Sequence, residues 1–118
     1  MSQPVTFPAT SLQLATTPGN VLYTCPDGVH ARVDDCSDLN TSVTDRTVTY
    51  HIVLSGGSIA DNNKVVGAAA AKKLADAPQG AIRYTMLGKV LHPGDFIQAF
   101  ASAASAVTPK GAVTEFPI

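Results

Sequence analysis

The run Leu22-Tyr23-Thr24-Cys25-Pro26-Asp27-Gly28 constrains the fold more than any other stretch. A segment rich in aromatic and β-branched side chains stops at a proline, which has no N–H to give a strand ladder. Asp-Gly follows, a pair that tolerates a reversed backbone, and His30-Ala31-Arg32-Val33 starts a second extended run. The segment therefore reads as a hairpin pivoting at Asp27-Gly28. Comparable punctuation recurs at Pro18-Gly19-Asn20, Ser55-Gly56-Gly57-Ser58, Pro78-Gln79-Gly80 and Pro93-Gly94-Asp95. Turn signals about every ten residues predict an all-β fold: an antiparallel β-sandwich, jelly-roll-like or immunoglobulin-like, of seven to nine strands with at most one short helix.

Along the chain, residues 1–10 carry Pro4 and Pro8 around Phe7 and read as an extended arm, with one sandwich domain over residues 11–118. Ser11–Thr16 is expected as a short first strand. The apolar parity of Ala31 and Val33 slips at Asp34-Asp35, where a β-bulge would restore it. Asn40–Asp45 is a polar turn. In Arg46–Leu54, Val48, Tyr50, Ile52 and Leu54 share one face, against Thr47, Thr49 and His51. Asp61–Ala77 is open between a short helix, for which Ala68–Leu74 has the propensity, and an irregular or edge strand. Ala81–Leu87 alternates with Ile82, Tyr84 and Met86 on one parity. Asp95–Ser102 is apolar on both faces, as a doubly covered central strand would be. The last segment reads as a hairpin turning at Pro109-Lys110-Gly111. The expected core is Leu22, Val33, Val48, Tyr50, Ile52, Ile82, Tyr84, Ile97 and Ala99.

No pattern calls for catalysis, a metal or a cofactor. His30, Asp34, Asp35, Cys36 and Asp38 lack the tight ligand spacing of zinc sites and the loop grammar of calcium sites, and read as a solvated loop. No Ser lies in G-x-S-x-G, and Cys25 before Pro26 has no feature that would lower its pKa. Cys25 and Cys36 are not cross-strand neighbours in the expected hairpin and read as free buried thiols. Gly56-Gly57 lacks a following phosphate-loop lysine. A net charge of −1 and the absence of Trp argue against nucleic acid as the partner. No secretory leader or membrane-length apolar run is visible, so a soluble protein made in the cytoplasm is expected.

The order Leu22-Tyr23-Thr24-Cys25-Pro26-Asp27-Gly28-Val29-His30-Ala31-Arg32-Val33, then Asn40, then Val48–Val53, resembles small virion proteins of tailed bacteriophages, with their L-Y-T-x-P-x-G-x-x-A-x-V pattern. Leu91–Ala104 is similar to that family's L-x-P-G-D-x-I-x-A-x-A-S-x-A. The departure is the Ala-rich Ala68–Ala77 region, where the family more often has a β-rich segment. The resemblance implies a non-enzymatic sandwich that oligomerises on a capsid, neck or tail, with no catalytic residues to carry over. The expected role is capsid decoration, with a neck, collar or tail protein or a host-surface or glycan-binding module as alternatives. The expected partners are copies of the chain itself and the major capsid protein or another virion protein, without nucleic acid or membrane, and the expected location is the virion, after synthesis in the host bacterial cytoplasm. Only 14% of residues are charged, against roughly a quarter in an average domain, so part of the surface is expected to meet other protein. Phe7-Pro8 and Phe116 with Ile118 place apolar groups near both ends as interface candidates. A trimer is expected from symmetry common among capsid-bound proteins.

Overall fold

The computed structural model describes residues 2–118 and contains nine strands in two antiparallel sheets. They are β1 (Gln3–Phe7), β2 (Asn20–Thr24), β3 (Val29–Asn40), β4 (Arg46–Val53), β5 (Lys64–Ala71), β6 (Ala81–Ile82), β7 (Val90–Leu91), β8 (Phe96–Ala101) and β9 (Val107–Pro117). One sheet runs β1-β9-β3-β6, with β7 also on β3; the other runs β2-β8-β4-β5. The pairing is nested. Gln3 faces Glu115, Asn20 faces Ala99, Ala31 faces Leu91, Ser37 faces Ile82 and Arg46 faces Ala71. The chain is thus one long antiparallel ribbon, doubled back near residues 55–60 and rolled so that successive pairs fall in alternate sheets, which is the jelly-roll arrangement.

Nesting overturns both expected local hairpins. β2 pairs with β8 and β3 with β9, so Pro26-Asp27-Gly28 carries the chain between sheets rather than between neighbouring strands. Pro109 is not a turn: β9 is continuous from Val107 to Pro117. Pro109 fits within it because β1 reaches only Gly111, leaving Pro109 paired on one side, with Asp38 of β3. The bulge is where the parity slip places it, since the β3–β9 register shifts between Val33 and Asp35. Asp34 and Asp35 are both exposed there, and Cys36 and Asp38 resume the inward parity.

Other expectations change for steric reasons. Ser11–Thr16 forms no strand, but Leu14 is fully buried and its N–H donates to the Val107 carbonyl at 2.8 Å. Residues 81–87 form only the two-residue β6 before a 3-10 turn, Tyr84–Met86. That turn sends Met86 into the core and leaves Ile82 and Tyr84 exposed. In β4, Thr49, His51 and Val53 are buried as well as Val48 and Tyr50, while Ile52 is half-buried and Leu54 exposed. The outer face of β4 is covered by the segment after it: the His51 Nδ1–H donates to Asn63 Oδ1 at 2.6 Å. Of the alternatives for residues 61–77, the structure takes the edge strand β5, preceded by a single 3-10 turn at Asp61–Asn63.

The N-terminal residues do not form a separate arm. Gln3–Phe7 is the edge strand beside β9, and Phe7 is 2% exposed in its own chain's core. Its ring takes the space beside Gly111, where a Cβ would overlap both the Phe7 ring and the Asp35 carbonyl. Met1 lies outside the described residues.

Every sheet edge is blunted. Pro4 has no N–H, so it cannot sit at a bonded position opposite Thr114; it and Thr6 turn their backbone groups outward, and only Thr6 offers a donor. The β2–β8 register shifts between Val21 and Tyr23. β5 shifts twice against β4, with Ala68 at φ +43° and its N–H donated to Thr49 Oγ1 at 3.1 Å. β6 and β7 are two residues each.

Candidate functional site

The buried polar groups come first, because a reactive site would draw on them. Asp38 and Arg83 are an ion pair inside the sandwich. Arg83 Nε and Nη2 donate to the two Asp38 carboxylate oxygens at 2.8 Å each, and Tyr50 Oη donates to Oδ2 at 2.8 Å. Arg83 also donates to the Ala70 carbonyl at 3.0 Å, so the cluster ties β3, β4 and β5 to the loop after β6. Burial disfavours the Arg83 cation, but the Asp38 hydrogen bonds and charge outweigh it and raise its pKa. Burial, reinforced by the Asp38 charge, raises Tyr50 well above its usual range. The sequence reading placed Asp38 in a solvated loop and missed Arg83. The signal was present as a lone cation in the Ala81–Leu87 window, on the parity opposite Ile82 and Tyr84, and it is the cation that points inward.

Asn40, Asp95 and Tyr23 make further ties, while Arg46 Nε is buried with no hydrogen-bond partner among the described residues. Asn40 Nδ2 donates to the Thr44 and Ala71 carbonyls, both at 2.8 Å, and its Oδ1 accepts from the Ser42 N–H and hydroxyl. Asp95 accepts from the Ser55 and His92 backbone N–H groups at 3.0 and 2.9 Å. Tyr23 Oη donates to Glu115 at 2.6 Å, bridging the two sheets, and burial followed by that carboxylate raises its pKa. Cys25 and Cys36 are free and buried; burial raises both thiols, Cys36 to about 12, which keeps them protonated and poorly nucleophilic. His30, Asp34, Asp35, Cys36 and Asp38 lie along β3 and do not converge: Cys36 and Asp38 point inward, whereas Asp34 binds Arg32 and the Thr114 hydroxyl outside. Among the described residues no three His, Cys, Asp or Glu side chains gather as a metal site. No helix in them is long and apolar enough to cross a membrane.

The two halves of the sequence motif meet at one end of the sandwich; Val21, Val43, Leu74, Ile82 and Tyr84 are exposed apolar groups elsewhere on the surface. The Gly94 N–H donates to the Cys25 carbonyl and the Cys25 N–H to the Asp95 carbonyl, both at 2.9 Å, locking the Pro26–Gly28 and Pro93–Asp95 turns together. The Ile118 N–H donates to the Gly28 carbonyl at 2.9 Å, fixing the last residues against the same turn. His30 and His92 meet edge-on at 4.7 Å, and the Arg32 guanidinium lies 5.1 Å over the Phe116 ring. Around this frame Leu54, Val90, Phe116 and Ile118 are 70%, 51%, 38% and 73% exposed. A wide depression of about 640 Å³ opens beside it, with Leu54, Lys64, Lys89 and Val90 in its walls. Of the candidate interface residues, Phe116 and Ile118 are therefore on this end; Phe7 is internal and Pro8 half-buried beside it. Leu54 was missed because it continues the parity of Val48, Tyr50 and Ile52, and Val90, after Gly88-Lys89, lies in a stretch too short for alternation to place it.

Comparison with family models, with curated proteins and with solved structures finds no match for this chain.

Proposed function

We propose that this chain is a non-enzymatic structural protein of a bacteriophage virion, acting as a capsid decoration protein that binds by surface area and shape. The observation that carries the reading is the contrast between interior and end surface. Apart from Arg46 Nε, each buried polar group named above has a structural partner, while four large apolar side chains stand exposed on one hydrogen-bonded end. Exposed apolar side chains on a rigid frame are a usual mark of a protein-binding surface. The jelly roll is a fold of viral capsid domains and also of lectins, so fold alone supports attachment without choosing the target. The motif likeness to small virion proteins favours the capsid, with neck, collar or tail as the second address, and copies of the chain and a virion protein as partners.

Replacing Phe116 and Ile118 together with Asp tests this. Both side chains are on the surface, so the variant should fold and unfold as the parent does, yet co-sediment at least tenfold less with particles of the encoding phage prepared without the protein. Unchanged co-sedimentation overturns the reading. Reproducible glycan-array binding that the same double variant abolishes supports the sugar-binding alternative instead.

A further inference from the structure

We infer that β1 is an exchangeable strand: when copies of this chain are held side by side, Gln3–Phe7 of one copy occupies the β9 ladder of the next. This goes beyond the proposed function, since it concerns contacts between copies and holds whatever surface brings them together.

The receptor is well defined. β9 offers a five-residue ladder from Gly111 to Glu115, ending in the glycine notch that takes the Phe7 ring. Glycine at position 111 is required by that ring, whichever chain supplies it. The tether is loose by comparison. Pro8–Gln13 forms no strand, and among the described residues its backbone makes no hydrogen bond to the rest of the protein. Leu12 rests half-buried on the core and Gln13 Nε2 donates to Thr41 Oγ1 at 3.1 Å, contacts that exchange would have to release. The backbone is next bonded at Leu14, through the Val107 carbonyl. Shallow depressions of about 420 Å³ flank Phe7 and Pro8 on both sides, one walled by Val21 and Tyr23 and the other by Asp35 and Pro109, and Ala9–Ser11 beyond them are exposed. Six residues reach about 20 Å when extended, enough to cross to an adjoining copy.

Exchange is also the route the edges leave open. Adding a strand to an outer edge meets Pro4 of β1, the bulges of β2 and β5, or the stubs β6 and β7. Exchange uses the β1–β9 register already present, Gln3 to Glu115 through Phe7 to Gly111, and leaves every edge as it was. The two forms share the same ladder, so concentration decides between them. A short flexible tether holds β1 at an effective concentration of order 1 mM. The closed form therefore dominates in dilute solution, and exchange becomes competitive where copies are crowded to millimolar density.

A mixture of two variants tests this, each carrying one introduced cysteine in a Cys25→Ala, Cys36→Ala background that removes the two native thiols. Thr6 and Ala112 are partners in the ladder, and by alternation from Pro4 they form a non-hydrogen-bonded pair, with Cα atoms about 4.5 Å apart, within disulfide range. Thr6→Cys and Ala112→Cys chains are mixed, unfolded under reduction, refolded together at 1 mM or at 10 μM, diluted, oxidised and mapped by mass spectrometry. The 6–112 bond between chains should form at 1 mM, exceed 6–6 and 112–112 bonds, and fall at least tenfold at 10 μM. The double variant in one chain should close its own 6–112 bond in dilute solution. Absence of the interchain 6–112 bond at 1 mM overturns the proposal. Failure of the double variant to close overturns the register on which it rests. Loss of particle attachment by the Phe116/Ile118 variant with exchange intact, or the reverse, separates this inference from the proposed function.

Discussion

Replacing Arg83 with Met should unfold this protein at a much lower temperature, although the site is remote from the apolar end. The change preserves much of the side-chain volume and removes the cation. Asp38, whose carboxylate is fully buried, then keeps only the Tyr50 hydroxyl as a side-chain donor. An uncompensated buried charge costs about 3–5 kcal/mol. With an unfolding entropy of roughly 2.1 cal/mol/K per residue, a chain of 118 residues has about 0.25 kcal/mol/K, so the expected fall in Tm is about 12–20 °C. Thermal and urea unfolding followed by far-UV circular dichroism measure it. Removing the whole buried pair should act in the opposite sense. The triple variant Tyr50→Phe, Asp38→Leu, Arg83→Met removes the charges together and should recover at least half of the loss, because a buried pair adds little beyond an apolar replacement of similar volume. A fall in Tm below about 4 °C for Arg83→Met, or a triple variant less stable than the single one, would refute the argument.

Three further outcomes are expected. Stability should decline above about pH 9, because Cys36 ionises near 9 in the unfolded chain and only near 12 in the folded one. The unfolded state then binds fewer protons and stability drops by up to about 1.4 kcal/mol per pH unit from this group; urea midpoints from pH 8 to 11 should show a shallower decline in Cys36→Ala. Asn40→Ala should cost about 2–3 kcal/mol in urea unfolding, since the Ala71 carbonyl and Ser42 N–H lose their partner. Gly111→Ala should cost about 1–3 kcal/mol and raise proteolysis at Pro8–Gln13, because the new methyl displaces the Phe7 ring and loosens β1; unchanged proteolysis would contradict the notch.

The sandwich was legible because turn residues and alternation are local signals. Leu22, Val33, Val48, Tyr50, Ile97 and Ala99 are buried as their parity predicts, and the bulge at Asp34-Asp35 follows from one slipped position. Strand partners were not legible. Pro26-Asp27-Gly28 satisfies the same backbone requirement whether the next strand pairs locally or crosses to the other sheet, and here the partner of β2 lies more than seventy residues away. The same ambiguity hid Arg83: alternation gives two faces without saying which is inward, and the Asp38 carboxylate decided it. The interface candidates divided for a related reason. Phe7 and Phe116 both stand beside a proline, yet Phe7 faces the gap above Gly111 while Phe116 lies on the outside under Arg32.

The most direct test of the proposed decoration role is the copy number of the chain in phage particles purified from cells that express it, measured by quantitative mass spectrometry against the major capsid protein. Decoration predicts hundreds of copies per particle. A small multiple of three, five or six moves the protein to the neck or tail, and its absence from the particle contradicts the structural role.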